Sequence, residues 1–329
     1  MITGNDGYTE KELLRMVRHW VPRECVPKRV QIKDTSDFFH VDYDDVVVLN
    51  GVPFFVRNNE REGRFGLDDE PKFWVKRSIN LLTGETKILK WVFKEQFNVK
   101  IGTLVFECVR NPHKEARILE LVRGRDDFMQ GRTVADSAGN PLRILDYIHG
   151  RTIAQITLSL GKDHEDFFYH FYPALLEEYM GMVKAIRFLH ESGEKHGDIR
   201  RDHVIKDEAT GKYRWIDFDF NYRHGENRFG YDLFGLGNIL MYITGRGDVI
   251  RQRLLHDDPH TLDRLSGDDM NIVFHNRVAN LQKVYPYIPA ALNQVLMHFS
   301  TGAKVFYDTT NELLDDLGEA SEELMKNIK

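Results

Sequence analysis

His196-Gly-Asp-Ile-Arg-Arg-Asp-His-Val-Ile205, with Asp217-Phe-Asp219 following 19 residues after Asp198, is the stretch on which the reading of this chain turns. Upstream, Tyr172 to His190 carries Leu175, Leu176, Tyr179, Val183, Ile186 and Leu189 at a 3.6-residue period, which predicts a helix. Val204-Ile205 and Tyr213 to Phe218 flank Thr210-Gly211 and read as two short strands. Downstream, Leu233 to Ile243 is an apolar helix. Asp198 therefore falls on a loop between a helix and a strand, and Asp217 near a strand end. Taken singly, either pattern is as compatible with a capped turn or an ordinary strand end. Their spacing and flanks make the pair informative.

Outward from this stretch, two textures divide the chain. After residue 150 it is mostly helical, with Ala290 to Phe299 and Asn311 to Asn327 as further helices. Before it, strands dominate. Asn50-Gly51 lies between Asp45-Val-Val-Val-Leu49 and Val52-Pro-Phe-Phe-Val56, the strongest short-range hairpin signal. A second hairpin runs from Phe73 to Leu82 and Thr86 to Phe93 around Thr83-Gly84-Glu85, with the polar residues 58–71 read as a loop. Residues 113–123 carry Ile118, Leu119 and Val122 on one stripe and read as a helix. Val134 and Leu142 to Ile148 read as strands about Gly139-Asn140-Pro141. Thr9 and Glu12 have capping-box spacing ahead of Leu13, Leu14, Val17 and Trp20, which predicts a short amphipathic helix ending before Pro22. The pattern predicts an α+β, two-lobed layout: an N-terminal extension over 1–44, a strand-rich lobe over 45–148 and a helical lobe over 149–329. A cleft between lobes is the default ligand site.

Composition narrows the function. A net charge of −6 supplies no basic excess to neutralise a phosphate backbone, which argues against nucleic acid as a partner. Two cysteines, Cys25 and Cys108, are too few for a disulfide framework or a zinc site. No stretch approaches the roughly 18 apolar residues of a membrane span, and the polar, acidic start is unlike a signal peptide. The expectation is a cytoplasmic protein with reduced thiols.

The stretch 196–205 resembles the catalytic loop of the protein-kinase superfamily, H-R-D-x-x-x-x-N, and Asp217-Phe-Asp219 its metal-binding D-F-G motif. Phe188-Leu-His-Glu-Ser-Gly193 is similar to the helix end that leads into that loop. Tyr231-Asp-Leu-Phe-Gly-Leu-Gly-Asn-Ile-Leu240 is similar to the family's next helix, with its buried aspartate at Asp232. The resemblance implies a protein-kinase-like fold that binds ATP and Mg²⁺. Phosphoryl transfer asks the protein chiefly to position an acceptor and neutralise phosphate charge. By resemblance, Asp198 would orient the acceptor hydroxyl or accept its proton, Arg200 would lie near the transferred phosphate, and Asp217 would hold Mg²⁺. Thr83-Gly-Glu-Thr-Lys-Ile-Leu-Lys90 resembles the hairpin leading to the phosphate-gripping lysine, which makes Lys90 that residue. Trp91-Val-Phe-Lys94 imitates the V-A-I-K pattern and keeps Lys94 open, since strand alternation puts both lysines on one face with Val92. Glu115 resembles the lysine's helix partner. Leu145-Asp-Tyr-Ile-His-Gly150 resembles the segment joining the lobes, where Asp146 and Ile148 backbone groups would meet adenine and Val92 would pack on it.

Departures from the family pattern limit these implications. His203 replaces the asparagine that ligates a second metal ion, and imidazole is a poor Mg²⁺ ligand. Either one ion suffices, or Asp202 or Asp219 assists. A histidine there is also similar to lipopolysaccharide-core sugar kinases. Asp219 replaces the D-F-G glycine, as an acidic residue does in aminoglycoside and choline phosphotransferases, which also favour His-Gly-Asp. Only 14 residues separate Asp217 from Asp232, leaving no room for an activation segment and its A-P-E. Gly63-Arg-Phe-Gly66 lacks G-x-G-x-x-G, and Glu62, Asp68, Asp69 and Glu70 around it would repel triphosphate. The functional expectation is γ-phosphoryl transfer to a hydroxyl, conventionally Ser or Thr of a protein. A sugar- or aminoglycoside-type acceptor and a non-catalytic nucleotide-binding scaffold stand as alternatives.

Overall fold

The computed structural model describes residues 7–62, 70–111, 113–224 and 227–327. In chain order the elements begin α1 (Glu10–Trp20), β1 (Val46–Leu49), β2 (Val52–Glu62), β3 (Glu70–Asn80), β4 (Thr86–Lys90), β5 (Gln96–Ile101), β6 (Leu104–Arg110) and α2 (Lys114–Leu121). They continue β7 (Gly131–Ala135), β8 (Pro141–Asp146), β9 (Gly150–Thr152), α3 (Ile153–Ser159), α4 (His164–His170), α5 (Tyr172–Glu191), β10 (Val204–Asp207), β11 (Tyr213–Trp215) and β12 (Phe220–Arg223). The helices α6 (Gly230–Thr244), α7 (Arg251–Asp257), α8 (Pro259–Asp263), α9 (Ala290–Met297) and α10 (Thr310–Asn327) complete the order. Contacts divide the chain into two compact units. One comprises Met1–Lys94, Glu115–Gly124 and Met129–Ile148; the other comprises Glu95–Lys114, Arg125–Phe128 and His149–Lys329. The α+β expectation holds, with a strand-rich unit and a helical one.

The first unit is an antiparallel sheet in the order β1-β2-β3-β4-β8-β7. Its hairpins form where turn chemistry allows them. Asn50 and Gly51 take φ 51° and 76°, the left-handed pair that matches the twist of β1 and β2. The residues read as a loop behave otherwise: 58–62 extend β2 and 70–71 extend β3. Their polar side chains mislead because they pair across the strands, with Arg77 on Glu60 at 2.7 Å and the Lys76 ammonium donating to Asn59 at 2.9 Å. The register shifts between Val56 and Asn58 and again between Asn59 and Glu60, the irregularity expected of β-bulges. The Gly63-Arg-Phe-Gly66 segment, with Asp68 and Asp69, lies outside the described residues, as does the Glu62 side chain.

Described residues ahead of β1 contribute to this unit's core. The Thr9–Glu12 capping box forms, and α1 ends before Pro22. Leu13 and Val17 are fully buried in a cluster with Val30, Val46, Phe55 and Leu81. Farther on, Val41 joins Val47, Leu49, Phe54, Leu89 and Trp91 in a second cluster, and the Trp91 indole donates to the Thr35 carbonyl at 2.8 Å.

The second unit is built on α5, a 20-residue helix whose apolar stripe is buried as its periodicity predicts. β9, β10 and β11 form one small sheet, and β12, β6 and β5 another. The β5–β6 hairpin, closing through Gly102 at φ 57°, was not foreseen from the sequence. β6 pairs with β12 in the register Phe220↔Arg110 to Arg223↔Glu107. β11 stops at Trp215, short of the strand expected through Phe218. No described helix is long and apolar enough to cross a membrane.

Leu13→Ala removes a fully buried side chain that joins α1 to the sheet. We expect a loss of about 2–5 kcal/mol, read as a lower urea midpoint in chemical denaturation. An unchanged midpoint would mean that the extension does not contribute to the core.

Candidate functional site

Gly197 determines the shape of the loop that carries Asp198. It sits at φ 90°, a conformation that excludes ordinary side chains. A Cβ there would lie 1.9 Å from the Phe220 carbonyl oxygen. The chain turns this tightly because Asp232, in the first turn of α6, draws the loop inward. Its fully buried carboxylate accepts the His196 and Gly197 N–H groups, each at 2.8 Å, and lies 3.0 Å from His190 Nε2. Burial alone would raise the Asp232 pKa, but His190, His196 and the Gly197 amide outweigh it and hold it below the ordinary value. From the other side the buried Lys114 ammonium donates to the His196 carbonyl at 2.7 Å and to the Phe220 carbonyl. The loop and the segment after Asp217 are thus tied by one lysine.

This anchoring brings three expected residues together. His203 Nδ1 lies 2.9 Å from the Asp198 carbonyl and 3.5 Å from its Oδ2. The other ring nitrogen, Nε2, lies 3.8 Å from Asp217 Oδ2. The imidazole therefore stands between the two carboxylates. Asp217 has φ 69°, unfavourable for a non-glycine residue though more tolerable for aspartate; such backbone strain concentrates at functional sites.

Asp219 and Arg200 are engaged with neighbours. The Asp219 carboxylate lies 2.5 Å from the buried Arg110 guanidinium, which also holds Glu95 at 3.0 Å and sits 4.1 Å over the Phe220 ring. Burial disfavours the charge on Arg110, but Asp219, Asp217 and Glu95 overcome this and raise its pKa. Arg200 forks onto Asp202, Nε at 3.1 Å and Nη2 at 2.6 Å.

These contacts decide what could hold Mg²⁺. The ion is commonly bound by one or two carboxylates together with substrate phosphates. Asp217 fits that role, while Asp219 is matched by Arg110 and His203 presents nitrogen. Among the described residues no three His, Cys, Asp or Glu side chains form a ready-made metal cluster. The donor set fits one ion completed by nucleotide oxygens.

In the first unit, Lys90 ends β4 with 3% of its surface exposed, and its ammonium lies 2.8 Å from Glu115 Oε1. Arg143, directly opposite Lys90 in β8, places Nε 2.8 Å from the other oxygen, Oε2. Its Nη2 donates to the Trp91 carbonyl at 3.1 Å. One fully buried carboxylate thus holds two buried cations. Lys94 is exposed and lies beyond the end of β4, so the alternation that kept both lysines open stops at Lys90. Val92 is half-buried outside the strand. Leu145 is buried opposite Ile88. The Asp146 amide donates to the Gln130 carbonyl at 2.9 Å and its carboxylate pairs with Lys87 at 2.7 Å. Ile148 is half-buried.

Sequence reasoning missed Arg143, Arg110 and Lys114. The first interrupts the apolar run Leu142-Arg-Ile-Leu145, a charge where a buried strand should be apolar, and could have been flagged. The other two carry no local signal.

A strand-rich antiparallel unit and a helical unit, the latter with an anchored loop before α6, agree with the α+β layout expected from the sequence. No protein-family model matches the chain, and no curated protein matches it. Among solved structures it is similar to the crystal structure of the Mycobacterium tuberculosis PknI kinase domain, at 13% identity and a TM-score of 0.47. That similarity covers 85% of this chain and 99% of that one.

Gly197→Ala should displace Phe220 or the loop, costing about 1–3 kcal/mol and lowering the melting temperature; a variant as stable as the parent would contradict the tight approach. Burial drives the His196 pKa down to about 3. The unfolded chain takes up that proton near pH 6.5, so stability falls as pH drops from 6.5 toward 3. Urea midpoints across this window should fall less steeply in His196→Gln.

Proposed function

We propose that this chain is an ATP-dependent phosphotransferase that moves the γ-phosphoryl group to a hydroxyl, with Ser or Thr of a protein as the acceptor. The observation that carries the proposal is the pair Asp198 and Asp217, held on either side of the His203 imidazole by an anchored loop. A carboxylate at Asp198 can orient the acceptor hydroxyl and take its proton as the bond to phosphorus forms. Asp217 offers the oxygen for Mg²⁺, which when bound neutralises phosphate charge. His203 keeps the carboxylates apart and properly turned.

In the other unit Lys90 is the group for the α- and β-phosphates. Glu115 holds its ammonium with one oxygen and Arg143 with the other. Leu145, Val92 and the backbone of Asp146 and Ile148 are assigned to the adenine. Arg200, gripped by Asp202, is assigned to the transferred phosphate and Lys94 to none of these tasks.

A small-molecule acceptor is the second reading, and one feature favours it. In protein substrates an extended segment often binds by pairing with an exposed strand edge. β12 is paired with β6, and its Phe220 and Tyr222 carbonyls accept from Lys114 and from Lys195, the latter at 2.9 Å. The carbonyls that a passing peptide would use are taken.

ADP release tests the proposal directly. Asp198→Asn should lower turnover by about 10²-fold or more, and turnover unaffected by that change would sink the assigned role. ATP with Mg²⁺ should raise the melting temperature of the parent but not of Asp217→Asn. Stabilisation without any ADP release would indicate a nucleotide-binding scaffold. With labelled ATP, label appearing in sugars or aminoglycosides and in no protein of a lysate would select the second reading.

A further inference from the structure

Beside α5, in the second unit, lies an open cavity of about 410 Å³ that plays no part in the proposed chemistry. Its size falls within the range of small-molecule sites. Three features of its wall are specific. The first is Gly181, inside the 20-residue α5. Glycine costs a helix interior about 1 kcal/mol relative to alanine, yet a Cβ here would meet nothing within 4 Å. Packing does not require this glycine; its effect is to keep the cavity open. The second is the half-buried Phe188 ring in the wall, with the Arg125 guanidinium 3.9 Å from its centroid. The ring already has a cation over it, within the distance of a cation–π contact.

The third feature is charge. Arg125 pairs with Asp127 at 3.0 Å, and Arg187 reaches Glu191 at 3.8 Å. Lys184, also in the wall and exposed, makes no ion pair among the described residues. Three cations therefore face two carboxylates. The chain as a whole carries −6, so a cavity with a net positive wall runs against the general charge and would draw anions selectively.

We propose that this cavity is a binding site for a small organic anion with a flat apolar body, such as an aromatic carboxylate or sulfonate. The body lies over Gly181 and beside Phe188, and the anionic group meets Lys184. This site is independent of the phosphotransfer reading.

The probe is 1-anilinonaphthalene-8-sulfonate, followed by fluorescence with the full chain. We expect one saturable site. Lys184→Glu should raise its dissociation constant about tenfold or more, since reversing a facing charge costs at least the 1.4 kcal/mol that a factor of ten represents. Gly181→Phe should fill the cavity and abolish saturable binding, while the melting temperatures of both variants show that they are folded. Asp198→Asn should bind as the parent does, so loss of turnover leaves this outcome untouched. Absence of a saturable site, or equal affinity in the parent and Gly181→Phe, would overturn the site. Affinity lost in Gly181→Phe but unchanged in Lys184→Glu would overturn the anionic assignment.

Discussion

A carboxylate with no access to water organises the helical unit. Removing Asp232 from solvent is expensive unless its oxygens are satisfied, and the available donors are the His196 and Gly197 amides and the His190 ring. Meeting that demand pulls the loop against the start of α6. Once it is there, the backbone passes so close to Phe220 that only glycine fits at 197. Glycine between His196 and Asp198 answers this close approach of the following segment. Asp198 then emerges with its carbonyl on His203 and its carboxylate facing the same ring.

The segment after Asp217 is held by the same economy of buried charge. Asp219, in place of a flexible glycine, would be unfavourable without a cation, and Arg110 supplies it from the end of β6. Lys114 adds a tether to Phe220, and β6 pairs with β12. The segment from Asp219 to Arg223 is bound by an ion pair and a strand. Breaking one partner of such a buried pair costs about 3–5 kcal/mol. The described segment from Asp219 to Arg223 is thus held by an ion pair, a lysine tether and a strand ladder.

The strand-rich unit solves a parallel problem. Glu115 is fully buried and serves Lys90 and Arg143 with one oxygen each. The sheet that presents these residues is stabilised by α1, Val30 and Val41, which fill its apolar clusters. The extension is as much a part of this unit's core as the strands are.

Much of this was legible in the chain because it depends on near neighbours. The Thr9–Glu12 capping box, the Asn50-Gly51 turn and the period of α5 are local, and each forms as read. Asp198 and Asp217 were singled out by the resemblance of their segments, in order and 19 residues apart, to the kinase catalytic loop and D-F-G motif. What the sequence left open depended on distant partners. Lys90 and Lys94 share parity, and only the end of β4 and the position of Glu115, 25 residues away, separate them. Polar residues 58–62 looked like loop because they lack apolar alternation, their partners across the hairpin being polar as well. Arg110 meets Asp219 across 109 residues, and no local pattern encodes that meeting. Periodicity and turn chemistry by themselves placed α1, the β1–β2 hairpin and α5, and the motif resemblance singled out the two aspartates. The tertiary structure alone decided which buried charges meet, because that pairing is set by strand register and desolvation across the whole fold.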